Sequence, residues 1–135
     1  MVMKVTLRHI EGMRFIGETE NHSIVLESDY LKVQKSVAPM EAFLLSLGGC
    51  TGMDVVAILM KMKQPPRKFE IYIEGERAKE HPKVYTHVKI KYVLYGVDLD
   101  KAKRAVQLSQ ERYCPVSAML RRSGCMLDYD VEVKP

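Results

Sequence analysis

AFLLSLGGCTGMDVVAILM, residues 42–60, decides how the rest of the chain is read. It holds one formal charge, Asp54, and is apolar nearly all round. Pro39 stands just ahead of it, where a missing N–H has no helical partner to lose. Glu41 follows in the first turn, where a negative charge suits the helix dipole. Pro65-Pro66 cannot continue a helix, so the pattern predicts one from Pro39 to Lys61–Lys63. A run this long meets the length criterion for a membrane span. Asp54 would then lie deep in the bilayer at considerable cost, and Ser46, Thr51 and three glycines suit packing against protein. The expectation is a long central helix buried on all sides, with no membrane partner.

Outward from that helix, the flanks read as short strands. Upstream, Val5 and Leu7 alternate with Lys4, Thr6 and Arg8, and Glu11-Gly12 supplies a turn. Met13, Phe15 and Gly17 share one face of a second strand, residues 23–27 (SIVLE) make a third, and 28–38 read as a loop. Downstream, Phe69, Ile71 and Ile73 alternate, as do Val84, Thr86, Val88, Ile90, Tyr92 and Leu94, with a turn at Glu80-His81-Pro82 between them. Asp98 or Asp100 can cap a second helix that carries Ala102, Ala105, Val106, Ser109 and Tyr113 along one side. Pro115 breaks it, a short third helix runs to about Arg122, and Gly124 stops that one. Leu127, Tyr129, Val131 and Val133 make the last strand. The order βββ-α-ββ-αα-β is an α+β pattern, and 135 residues fit one domain, 1–135. So short a chain cannot easily enclose an all-round apolar helix, so a homodimer is expected, with the helix's outer face against the second copy.

Composition narrows the function classes. A hydrophobic fraction of 47% supports a core and argues against disorder. The net charge of +4 is spread along the chain, without a basic stripe interleaved with aromatics, so no nucleic-acid partner is expected. The start, MVMKVTLRHIEG, lacks the continuous apolar stretch of a secretory signal. Three cysteines, none in a C-x-x-C pair, do not make a disulfide-stapled secreted domain, and a reducing cytoplasm is the expected location. His9, His22, His81 and His87 form no metal-ligand spacing, so no metal is expected. GGCTG lies inside a helix and is no phosphate loop, and no cofactor is expected.

The chemistry then rests on thiols. Cys50 is flanked by Gly48, Gly49 and Gly52, which let another backbone approach or leave room for a ligand beside the sulfur. A cysteine packed at a tight crossing is the plainer reading. Cys114 precedes Pro115, which puts it at a helix N-cap, where a thiolate meets free N–H groups and the positive dipole end. Arg112, Arg121 and Arg122 are close in sequence and could add to that field. Cys125 has no such feature and reads as packing.

Pro39-Met40-Glu41, LLSLGGCTGMDVVAIL and ERYCPVSAML ahead of a final strand resemble the OsmC/Ohr superfamily, the osmotically inducible protein C and organic hydroperoxide resistance proteins. The resemblance covers nearly the whole chain, with two cysteine motifs in matching order. It implies an intertwined homodimer with the central helices at the interface, and a thiol peroxidase. Cys50 would attack a hydroperoxide, Cys114 would resolve the oxidised sulfur as a disulfide, and a dithiol reductant, lipoyl-linked in the better-known members, would restore both. The family readies its cysteine with an arginine held by a glutamate. Met40 stands at the usual glutamate position and Glu41 one later; Arg14, ahead of Arg8, is the candidate cation. The alternative is an OsmC-fold protein that binds a hydrophobic small molecule or senses redox state without efficient turnover.

Overall fold

The computed structural model describes residues 1–135 as two compact units, Met1–Phe43 and Leu44–Pro135. The first unit is an antiparallel meander of β1 (Thr6–Glu11), β2 (Arg14–Glu18) and β3 (Ser23–Glu27). Gly12 turns the chain between β1 and β2 at φ +53°, a left-handed position that glycine takes without strain. The second reversal is closed by Thr19, whose N–H donates to the His22 carbonyl at 2.8 Å and whose hydroxyl accepts from the His22 N–H at 3.0 Å. The loop after β3 returns alongside it through one bridge, Leu26 to Val37.

Helix α1 spans Pro39–Lys61, as the sequence predicts. Glu41 Oε1 accepts from the Ala38 N–H at 2.9 Å and from Gln34 Nε2 at 2.8 Å, so a third-position glutamate caps its own helix start. At the far end Lys63 is left-handed, φ +61°, and Gln64 N–H reaches the Leu59 carbonyl at 2.8 Å, a paired closure ahead of Pro65-Pro66.

In the second unit β4 (Lys68–Arg77) pairs antiparallel with β5 (Tyr85–Tyr95), and β5 pairs parallel with β6 (Met126–Lys134). A parallel pair needs a long crossover. Here it is α2 (Leu99–Leu108), a π-helical turn (Ser109–Tyr113) and α3 (Pro115–Arg122). Asp98 caps α2 by accepting from the Lys101 N–H at 3.1 Å. The sequence predicts one helix to Tyr113. Instead the coil widens at Ser109, and the Cys114 N–H reaches back five residues to the Ser109 carbonyl at 2.8 Å. The extra residue lets Ser109 and Gln110 both turn into the core.

That core joins Leu47, Val55 and Leu59 of α1 to Val88, Ile90, Tyr92 and Leu94 of β5 and to Ala102, Ala105 and Val106 of α2. Each buried leucine or valine contributes roughly 2 kcal/mol. Burial on all sides of α1 does not hold within one chain. One helix face is enclosed, while Leu45, Met53 and Met60 on the rest are 65%, 75% and 61% exposed. A three-stranded sheet and two short helices can enclose only one side of a 23-residue helix. The helix is long and apolar enough to cross a membrane, but its buried face is committed to this core. Gly48 and Gly52 settle it there: a Cβ on either would lie 2.9 Å from the tip of Ile73 or Ile71 on β4. Of the glycines around Cys50, only Gly49 faces open space. Two of the three glycines thus serve close packing on the sheet.

Candidate functional site: a dithiol at one helix end

All three cysteines are free thiols. Cys114 is the N-cap of α3 with Pro115 in the first turn, as its sequence context predicts, and its sulfur accepts from the Ser117 N–H at 3.4 Å. It is buried, whereas Cys50 is half-buried. The Cys50 thiol lies beside the Cys114 thiol and the backbone N–H of Val116, near enough for both to act on it electrostatically. A mid-helix cysteine has no help from its own dipole, but Cys50 meets the N-terminus of a different helix. Both sulfurs therefore sit at the same end of α3.

Burial first, and then the shared hydrogen bond with Cys114, push the Cys50 thiol above its ordinary value. The Val116 N–H pulls it down, and the nearby charge of Asp54 adds to the rise. Burial likewise raises Cys125, which donates to the Met126 carbonyl at the start of β6 and packs there.

Beside the dithiol runs a buried polar chain that the sequence reading did not find. Arg121 donates to the Gln110 carbonyl at 2.7 Å and to its Oε1 at 2.9 Å. Gln110 Nε2 donates to the Tyr92 hydroxyl at 2.7 Å and to Thr51 Oγ1 at 3.2 Å. Thr51 Oγ1 also lies 2.7 Å from both the Tyr92 and Ser109 hydroxyls, and Ser109 reaches Asp54 at 3.0 Å. Valence fixes the direction. Asp54 as a carboxylate only accepts, so Ser109 donates to it, Thr51 donates to Ser109, and Tyr92 donates to Thr51. One polarised chain runs from a guanidinium to a carboxylate and pins the π-helical turn just before Cys114. Burial pushes the Tyr92 phenol up to about 12 despite its bonds to Thr51 and from Gln110. Two of the three arginines expected to assist Cys114 are engaged elsewhere: Arg121 in this chain, and Arg112 over the Tyr113 ring at 5.5 Å.

In the first unit, Arg14 pairs with the buried Glu27 at 3.3 Å and with Glu11 at 3.2 Å. Glu27 also accepts from the Lys35 N–H at 2.7 Å. That bond, aided by Arg14 against the opposing effect of burial, holds its carboxyl below the usual range. The carboxylate that orients Arg14 is thus Glu27. Glu41 is occupied at the helix cap, where the Ala38 N–H and then Gln34 lower its pKa. Arg8 forms an exposed pair with Glu18. The Arg14–Glu27 pairing could have been read from strand register, since the turn at Thr19–His22 places these two residues opposite each other.

The model of the OsmC-like protein family matches residues 33–129. This chain belongs to that family. It is similar to Protein YhfA of Escherichia coli K12, 36% identical over 124 residues that span 90% of this chain and 91% of YhfA. Among solved structures, a hypothetical protein from Aquifex aeolicus VF5 superposes with a TM-score of 0.86 at 33% identity, covering 100% of this chain and 99% of that one. An organic hydroperoxide resistance protein OsmC from Legionella pneumophila gives a TM-score of 0.70 over 100% and 98% of the two chains. At 16% identity, that last likeness is one of fold. The α+β order βββ-α-ββ-αα-β is the OsmC fold, and both cysteine segments of this chain fall within the matched residues.

Proposed function

We propose that this OsmC-like protein is a thiol-dependent hydroperoxide reductase of the cytoplasm. One observation supports the reading: the Cys50 thiol lies beside that of Cys114, the N-cap of α3. A sulfur oxidised at Cys50 then has its resolving partner in place. The Cys50 thiolate attacks the distal oxygen of a hydroperoxide, the S–O bond forms as the O–O bond breaks, and the alkoxide leaves as alcohol after taking a proton. Cys114 attacks the Cys50 sulfenic acid, giving the disulfide and water. A dithiol, lipoyl-linked in kind, reduces the disulfide.

A raised thiol needs a cation to become a nucleophile near neutral pH. Asp54 opposes that, so activation comes from elsewhere. In the homodimer we propose, the exposed apolar face of α1 meets a second copy, and Arg14, held by Glu27, is the candidate cation. The role of Glu41 is to start the helix that carries Cys50. Three free thiols suit a reducing compartment.

The test is peroxide consumption with dihydrolipoamide as reductant. Cys50→Ser abolishes turnover, and Cys114→Ser accumulates a sulfenic acid at Cys50 that dimedone captures. Equal activity in wild type and Cys50→Ser refutes the proposal. The upward push on Cys50 favours a second reading, a binder or redox sensor that uses the apolar groove of about 510 Å³ beside Gly49, Met53 and Phe69. The rate of Cys50 alkylation against pH separates the two. A midpoint well below that of a free thiol supports the peroxidase, and one at or above it supports the binder.

A further inference from the structure

The first turn of α3 holds a group that no bond in the fold explains. Ser117 is completely buried, and its hydroxyl is the one buried side-chain oxygen or nitrogen without a hydrogen-bond partner. Buried polar groups are almost always satisfied, and an alanine would fill this place with no polar atom to desolvate. Its position is specific. Ser117 is the third residue of α3, and its own N–H donates to Cys114. The Cα–Cβ bond of a helical residue leans toward the helix N-terminus. The hydroxyl is thereby directed to the helix end that the two sulfurs occupy, where Val116 N–H already meets Cys50.

We propose that Ser117 is a catalytic residue whose hydroxyl donates a hydrogen bond to the oxygen that Cys50 takes from a hydroperoxide. This deepens the peroxidase reading and rests on it. In the attack, the thiolate of Cys50 gives an electron pair to the distal oxygen and the O–O bond breaks. The Ser117 hydroxyl steadies the oxygen in transfer, while the alkoxide departs and takes its proton from water. In the product, the same hydroxyl bonds the sulfenic oxygen. When Cys114 displaces that oxygen, the S–S bond forms, the S–O bond breaks and water leaves. Ser117 ends unchanged, its hydroxyl again without a partner. The Val116 and Ser117 N–H groups meanwhile hold the two sulfurs.

The experiment uses the full reduced chain, with Ser117→Ala compared to wild type in three measurements. The first is single-turnover oxidation of Cys50 by hydrogen peroxide and by cumene hydroperoxide. The second is alkylation of Cys50 by iodoacetamide, which attacks the same thiol through carbon and transfers no oxygen. The third is the thermal midpoint of the reduced protein. The expected result is peroxide oxidation slowed tenfold or more, alkylation unchanged, and a midpoint equal to or above that of wild type. Unchanged peroxide oxidation in Ser117→Ala overturns the inference alone. So does an equal loss in both reactions, or a lowered midpoint, since either means the hydroxyl serves the reduced fold. Wild-type Cys50 that peroxide does not oxidise overturns the peroxidase reading, and this inference with it.

Discussion

Replacing Tyr92 with phenylalanine removes one oxygen from the middle of the Arg121–Asp54 chain and leaves the ring in place. Tyr92 is fully buried, so no water replaces what is lost. Two bonds of 2.7 Å disappear, to Thr51 and from Gln110. Thr51 keeps Ser109 and Gln110 as partners, but one N–H of the buried Gln110 side chain is orphaned. Two net hydrogen bonds and one orphaned donor together cost about 2–6 kcal/mol. The pH dependence provides an independent check. The phenol is pushed up to about 12 in the fold, against an ordinary value of 10.0. A group raised on folding contributes stability that is fully present below its unfolded pKa and lost as pH rises through the folded one. Wild type therefore loses about 1.4 kcal/mol of its advantage by pH 11, while phenylalanine does not titrate. Urea unfolding of both reduced proteins at pH 7, 9, 10 and 11 measures the gap. A gap under about 0.5 kcal/mol at pH 7, where a working chain requires several times that, or a gap constant to pH 11, would refute the reasoning.

Met53→Glu places a charge on the exposed face of α1, where Met53 is 75% exposed. The protomer should fold normally by circular dichroism, while light scattering shows the dimer dissociating; a wild type that already scatters as a monomer removes the homodimer. Glu41→Gln weakens the start of α1. Because the folded carboxyl of Glu41 is lowered, its contribution is present at neutral pH and lost as pH falls through its folded pKa, below the ordinary glutamate range. Thermal melts should therefore show wild type ahead at pH 7 and the two proteins converging in acid.

Much of this fold was written in local signals. Pro39, Pro65, Asp98 and Pro115 mark helix ends that depend on neighbours a few residues away. Strand alternation placed Tyr92 on the inward side for the same reason. The widening at Ser109 was not legible, because what drives it is distant in sequence: Thr51, Tyr92 and Asp54 reward a coil that turns both Ser109 and Gln110 inward. The site divides the same way. The N-cap position of Cys114 followed from one proline. The meeting of Cys50 with Val116 depends on how a helix and a crossover pack, and no spacing rule reports that. Glu27 was within reach of register arithmetic, whereas the family resemblance pointed to Glu41, one position after Met40.

The parallel pairing of β5 with β6 has a consequence for assembly. β4 and β5 can zip together as a hairpin once their turn forms. β6 must wait until the whole crossover has been made, and such non-local pairing is the slow part of folding. Cys114 is carried in that crossover, so it comes to rest beside Cys50 only once the crossover packs on α1. A chain still emerging from the ribosome thus holds its two thiols apart until the crossover is made, and their meeting marks the packing of that crossover. Rapid crosslinking of the pair during refolding would time that event.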